Sequence, residues 1–213
     1  LSRAAPPGRA GTGAAGCGRP RADRGGRRSG RAGEKEPGAG RSLGGALGGL
    51  ARPGYPNYVL VMRIFKSLDE LKAAKGEHLG YSDWRQITQE QVNLFADATD
   101  DHQWIHVDVE RAKEGPFGGT IAHGYLSLSL LPSLVKEIYR VEGLRMGINY
   151  GLNRVRFPRP VPVGSRVRAG AEILDVKDTQ NGTLTALKVT LFVEGDEKPA
   201  CVAETLSLLV PQS

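Results

Sequence analysis

Aromatic residues are missing from the first quarter of this chain. Residues 1–54 contain no Phe, Tyr or Trp, and so lack the large side chains that dominate core burial. The same stretch holds 16 of the 29 glycines, with 11 Lys and Arg against 3 acidic residues. Its net charge is +8 where the whole 213-residue chain carries +6, which leaves −2 for the remainder. The basic balance therefore belongs to the tail, and the rest of the chain carries no basic footprint for nucleic acid. A segment of this composition cannot bury enough apolar surface to offset its ordering entropy, so residues 1–61 read as disordered. Three origins compete for it. Arg-rich runs can bind phosphates or a membrane surface. An Arg-rich, acid-poor start is also the composition of a targeting peptide. A translated upstream region outside the native protein has the same Gly, Ala, Arg and Pro bias, and is the reading preferred here. Met62 then marks the expected start, opening a single domain over residues 62–213.

Cysteine is nearly absent as well. Cys17 lies in the tail and Cys201 in an apolar, strand-like run. Two such residues make no disulfide framework, which suits a reducing cytoplasm. Cys201 reads as a small buried residue rather than a nucleophile. No apolar run reaches the ~18–20 residues that span a bilayer, and no secretory core is present.

What remains is patterned. Ser67-Leu-Asp-Glu70 and Thr88-Gln-Glu-Gln91 read as capping boxes that open two helices. The second places Val92, Phe95 and Ala96 on one face and should end near Thr99. Residues 102–119 read as a loop punctuated by Gly115, Pro116, Gly118 and Gly119. Thr120 to about Arg140 is apolar on nearly every side, which predicts a buried helix that Pro132 bends or interrupts. From Asn149 the period changes to two. Strands are expected over 151–157, 166–176, 183–193 and 201–210, with a hairpin turn at Asn181-Gly182. Helices first and antiparallel strands afterwards give an α+β class: a curved sheet wrapped around a long central helix.

Two elements carry chemistry. Asp101 and His106 stand five apart, where a carboxylate and an imidazole can share one water and move protons near neutral pH. Taken alone, such a pair is more often a helix cap or loop contact. The second element is Gly118-Gly-Thr-Ile-Ala-His-Gly124 at the start of the long helix. Free N–H groups and the positive end of the helix dipole can hold a carbonyl that becomes an oxyanion. His123 is a candidate site residue here, and equally a loop hydrogen-bonding group. The glycines match neither phosphate-binding pattern. His102, His106 and Asp108 lack a third firm ligand for a metal site, and no Gly-x-Ser-x-Gly elbow occurs.

These motifs together resemble the MaoC-like dehydratases, in particular the (R)-specific enoyl-CoA hydratases of actinobacterial type. The family pattern is Asp-x-Asn-Pro-x-His-x-Asp, then a Gly-rich loop and a His-Gly helix start. This chain has Asp101-His-Gln-Trp-Ile-His106-Val-Asp108, then Gly115 to His123-Gly124, then Asn153-Arg-Val-Arg-Phe-Pro158 and Pro160-Val-Pro-Val-Gly164. The resemblance covers about 150 residues, essentially all of the chain beyond the tail. It implies a hot-dog fold, a homodimer whose sheets join side by side, and hydration of trans-2-enoyl thioesters to (R)-3-hydroxyacyl thioesters. It implies Asp101 and His106 as the catalytic pair and the Gly124 N–H as oxyanion donor. His123, Ser129 and Gln103 are implied as further oxyanion or substrate-binding residues. Gln103-Trp104 replaces the family's Asn-Pro, a departure that bears on substrate range. No metal or redox cofactor is implied: coenzyme A, or acyl carrier protein, carries the substrate, and neither nucleic acid nor membrane is a partner. The rivals are a hot-dog thioesterase acting on the same substrates and a non-catalytic acyl-thioester-binding subunit.

Overall fold

The computed structural model describes residues 62–212, so the reading of the tail lies outside the described residues. The chain begins with a short strand β1 (Arg63–Phe65) and helix α1 (Leu68–Ala73). Ser67 caps α1 by accepting from the Glu70 N–H, but the Glu70 carboxylate reaches back to the N–H of Lys66, one residue before the cap. Two short strands follow, β2 (His78–Tyr81) and β3 (Arg85–Gln86). The expected capping box at Thr88 and Gln91 is complete and opens α2 (Gln89–Thr99). Val92 and Ala96 are its buried residues, and Asp100 ends it with φ +58°, a left-handed conformation that a short polar side chain tolerates.

The expected loop over 102–119 instead contains two short helices, α3 (Trp104–Val107) and α4 (Val109–Lys113). Asp108 joins them, accepting from the Arg111 N–H as the cap of α4. Trp104 holds the turn together. The Arg111 guanidinium lies 4.4 Å over its ring, and a Cβ at Gly115 would come within 2.9 Å of it. No helical period shows in such short pieces, which is why the glycines dominated the sequence reading.

The long helix α5 spans Gly124–Ile138, shorter than the expected 120–140. Thr120 to Ala122 are held in extended form instead: the Ile121 N–H donates to Ile105, the Ala122 N–H to Val161, and the Val163 N–H to Thr120. Leu126, Leu131, Leu134 and Ile138 are buried, whereas Tyr125, Ser129, Pro132 and Lys136 are exposed. The helix is thus buried on three sides, not all round. Pro132 does not interrupt it, because the N–H it lacks falls on the exposed stripe where the freed Leu128 carbonyl can meet water.

Five strands form the rest: β4 (Tyr139–Val141), β5 (Leu144–Arg156), β6 (Arg166–Thr179), β7 (Gly182–Val193) and β8 (Cys201–Pro211). β1 and β4 pair in parallel, apart from a six-stranded antiparallel sheet ordered β2-β6-β7-β8-β5, with β3 also on β6. The Asn181-Gly182 hairpin joins β6 to β7 as expected. Gly182 is obligatory: its φ is +140° and a Cβ would lie 2.4 Å from the Leu209 carbonyl oxygen. The inward face of β7 buries Leu187, Val189, Leu191 and Val193 in one core with Leu131, Leu134 and Ile138 of α5. Each such side chain contributes ~1.5–3 kcal/mol of burial. Cys201 is fully buried, and that burial pushes its thiol up to about 11.

β5 starts seven residues earlier than the sequence pattern suggested. It is exposed along nearly its whole length, with Met146, Ile148, Tyr150 and Leu152 open to solvent. Alternation fails there because neither face is buried within one chain. Among the described residues β8 is its one strand partner.

Candidate active site

The site forms where the end of α2, the α3 turn and the start of α5 meet. Asp101 leaves the left-handed Asp100 as an exposed carboxylate, whereas His106 and His123 are buried. One ligand-type atom of each lies within 4.8 Å of the other two. The spacing of five thus brings Asp101 and His106 near one another in space, and His123 joins them from 17 residues further on.

Each imidazole is anchored by a carbonyl. The His106 Nδ1 is 2.7 Å from the Ile121 carbonyl oxygen. A carbonyl only accepts, so Nδ1 carries the hydrogen and the Nε2 of a neutral His106 keeps its lone pair. The His123 Nε2 likewise donates to the Asp101 carbonyl, at 2.9 Å. The two rings stack with centroids 3.8 Å apart and planes 28° from parallel, and Phe95 packs on His123 at 5.0 Å. Burial holds the His106 imidazole below the ordinary histidine value. The Ile121 carbonyl opposes that shift, His123 adds to it and the Asp101 carboxylate opposes it. His106 is therefore a neutral base at neutral pH, with its acceptor nitrogen left open.

The candidate oxyanion position is the start of α5. His123 is its N-cap residue and makes no side-chain cap, so no side chain covers the first-turn N–H groups. Gly124 opens the helix with the Phe157 ring against it. A Cβ there would meet Phe157 at 3.2–3.3 Å, tight enough to displace the ring.

The other expected residues lie elsewhere. Gln103 is exposed as the N-cap of α3 and makes no side-chain cap bond. Ser129 is on the outer stripe of α5, donating to the Tyr125 carbonyl at 2.7 Å. It lines a cavity of about 520 Å³ between α5, β5 and β8, bounded by Leu128, Leu131, Pro132, Val135, Leu152, Leu206 and Leu209 among others. That cavity begins about one helical turn from Gly124, or ~6 Å along the axis. Gly147 and residues 149–152 line it too, and β5 runs on from there to Arg156, next to the Phe157 that lies beside Gly124.

His102 and Asp108 do not join His106. His102 bonds Asp97 at 2.9 Å, and Asp108 caps α4. Asp101, His106 and His123 are a different trio that can face a cation.

Sequence reasoning missed Gln89. Its amide donates to the His106 carbonyl at 2.7 Å, and its carbonyl accepts from the Thr120 hydroxyl at 2.6 Å. It clamps the loop carrying His106 to the chain entering α5. Phe95, Phe157 and the Ile121 carbonyl were missed too. Each acts through contacts across 15 to 33 residues, which no local pattern announces.

The chain is similar to known proteins in sequence and fold. A family model described as "MaoC like domain" matches residues 70–194. The 3-hydroxyacyl-thioester dehydratase Z of Mycobacterium tuberculosis is 62% identical over 146 residues, spanning 68% of this chain and 97% of the relative. Nodulation protein N of Rhizobium leguminosarum is 44% identical over 147 residues, 67% of this chain and 91% of the relative. Among solved structures, a monoamine oxidase regulatory protein from Archaeoglobus has a TM-score of 0.57 at 26% identity, covering 72% of this chain and 99% of its own. The R-hydratase PhaJ1 of Pseudomonas aeruginosa has a TM-score of 0.56 at 24% identity, covering 68% and 86%, and bears on the fold alone.

Proposed function

The chain belongs to the MaoC-like dehydratase family, with its hot-dog fold, and on that premise we propose that it is a hydro-lyase of acyl thioesters. It reversibly adds water to trans-2-enoyl thioesters, giving (R)-3-hydroxyacyl thioesters. The observation that carries this is the buried, neutral His106 with an open Nε2, close to the Asp101 carboxylate and near the uncapped start of α5. The 3-hydroxyacyl-thioester dehydratase named above supports the same substrate class.

In this reading a water sits between the Asp101 carboxylate and His106 Nε2. Its oxygen bonds to C3 of the alkene as the pair takes up a proton, and the electron pair moves through C2 onto the thioester oxygen. The Gly124 N–H holds that oxygen, where a preorganised donor is worth several kcal/mol of barrier. A proton returned to C2 from the pair completes a syn addition. The pair as a whole supplies both the base and the acid. His123 and Gln103 serve the site from its edges, and Ser129 faces the acyl chain, which fills the apolar cavity beside α5. No metal or redox cofactor takes part, and coenzyme A or acyl carrier protein is the carrier. Incubation with crotonyl-CoA tests the reading. Loss of enoyl absorbance without free thiol is expected, whereas thiol release would mean a thioesterase and binding without turnover a non-catalytic subunit.

The working unit in this proposal is a homodimer. A 13-residue edge strand with Met146, Ile148, Tyr150 and Leu152 exposed is a template for pairing with a second copy. Light scattering should give a dimer for the parent and a monomer for Ile148→Lys combined with Leu152→Lys. The activity resides in residues 62–213, and no helix among the described residues is long and apolar enough to cross a membrane. The cytoplasm is the proposed site of action, and the free, buried Cys201 thiol fits a reducing compartment.

A further inference from the structure

His123 is joined to each part of the reactive end. Its Nε2–H donates to the Asp101 carbonyl at 2.9 Å, its ring stacks on His106 at 3.8 Å, and the peptide bond that follows it carries the Gly124 N–H. It is the N-cap residue of α5 but makes no side-chain cap bond, so helix capping does not account for it. Packing does not account for it either. The ring contacts Phe95 at 5.0 Å and His106, is 2% exposed, and its Nδ1 has no hydrogen-bond partner among the described residues. A buried nitrogen with no partner costs stability, and a phenyl ring makes the same ring contacts without that cost. What imidazole adds over phenyl is one bond, from Nε2–H to Asp101. That bond acts on an irregular stretch of backbone. Asp101 stands between α2 and α3, in neither helix, directly after the left-handed Asp100. Holding its carbonyl fixes the peptide plane that follows, and with it the direction in which the exposed carboxylate leaves the chain.

We propose that His123 is a positioning residue for the Asp101–His106 pair: its Nε2–H aims the Asp101 carboxylate, and its ring sets the plane of His106. This rests on the hydratase reading above and specifies how the pair is kept in register with the Gly124 N–H. His123 touches no substrate in this role. Its effect falls on kcat, because a misaimed acid–base group slows the transfer without loosening substrate binding.

Two substitutions in the full chain separate the bond from the ring. His123→Phe keeps a ring and removes the donor, whereas His123→Gln keeps a donor near the position of Nε2 and removes the ring. For crotonyl-CoA hydration, His123→Phe should lower kcat by ~10–100-fold with KM nearly unchanged, the scale of a misplaced catalytic group. His123→Gln should restore most of that loss. Melting temperature should run the other way, with His123→Phe at or above the parent and His123→Gln below it, because the second leaves a void and a buried amide. A merely structural role moves activity and stability together. Parental kcat in His123→Phe overturns the proposal, as does a loss carried by KM instead of kcat. So does a His123→Gln variant as slow as His123→Phe, or melting temperatures that follow the order of activity. A parent that hydrates no enoyl-CoA sinks the hydratase reading instead, and NMR then decides the proposal. The His102 amide, which shares a peptide bond with the Asp101 carbonyl, should shift in His123→Phe and keep its parental position in His123→Gln. Equal shifts in the two variants, or none, overturn it.

Discussion

The two ends of α5 are built on opposite plans. At its start three polar side chains are tied to backbone: His106 to Ile121, His123 to Asp101, Gln89 to the His106 carbonyl. Toward its other end the helix faces open volume, with aliphatic side chains on one wall and hydroxyls on the other. Under the proposed function, the difference teaches how one scaffold divides its labour. Chemistry needs groups held in place before substrate arrives, so that end is close-packed. Selection needs room, so the far end leaves a cavity and gives up the burial that filling it would supply.

That division can be broken at the near end first. Asp101→Asn and His106→Gln should each lower enoyl-CoA hydration by at least ~10²-fold, the scale of a positioned acid–base group, with circular dichroism unchanged. Near-parental rates in both variants would show that the polar end is not the reactive one. At the far end, Val135→Phe fills cavity volume without touching the polar cluster. It should cut kcat/KM for long-chain enoyl-CoAs by ~10-fold or more and leave crotonyl-CoA hydration within a few-fold. A uniform loss across chain lengths would mean that the two ends are not separable.

The smallest effect is a pH signature that belongs to the near end alone. Burial, the largest influence on His106, favours its neutral form and lowers its titration below the ordinary 6.5. The unfolded chain then takes up this proton before the folded one does. The associated stability is fully present above pH 6.5 and is lost as pH falls from there through the folded value. Imidazole resonances of His106 should titrate with a midpoint under 6.5, and His106→Gln should flatten the acid side of the stability curve. A midpoint at or above 6.5 would contradict the buried neutral base.

Much of this was legible locally. The Thr88 capping box, the end of α2 at Thr99 and the Asn181-Gly182 hairpin are decided within four or five residues, so the sequence displays them. Asp101, His106 and Gly124 were marked as candidates by their motif, whereas the docking of the His123 ring onto His106 was not. The short helices α3 and α4 were hidden, because four- and five-residue segments show no period. Most of β5 was hidden for a different reason: its outer residues have no buried face within a single chain, so they carry no alternation.

Taken by itself, the chain determined its α+β class, its central helix and the residue types at its reactive turn. Those follow from hydrophobic period, capping chemistry and backbone restriction, all of which act between near neighbours. The tertiary structure alone decided that His123 stacks on His106 and borrows the Asp101 carbonyl, and that Gln89 clamps the loop. It alone set Thr205 and Ser207 across an open cavity from the aliphatic side chains of α5. Those relations depend on how separate elements dock, and docking is governed by shape and burial summed over the whole core, which no window of sequence contains.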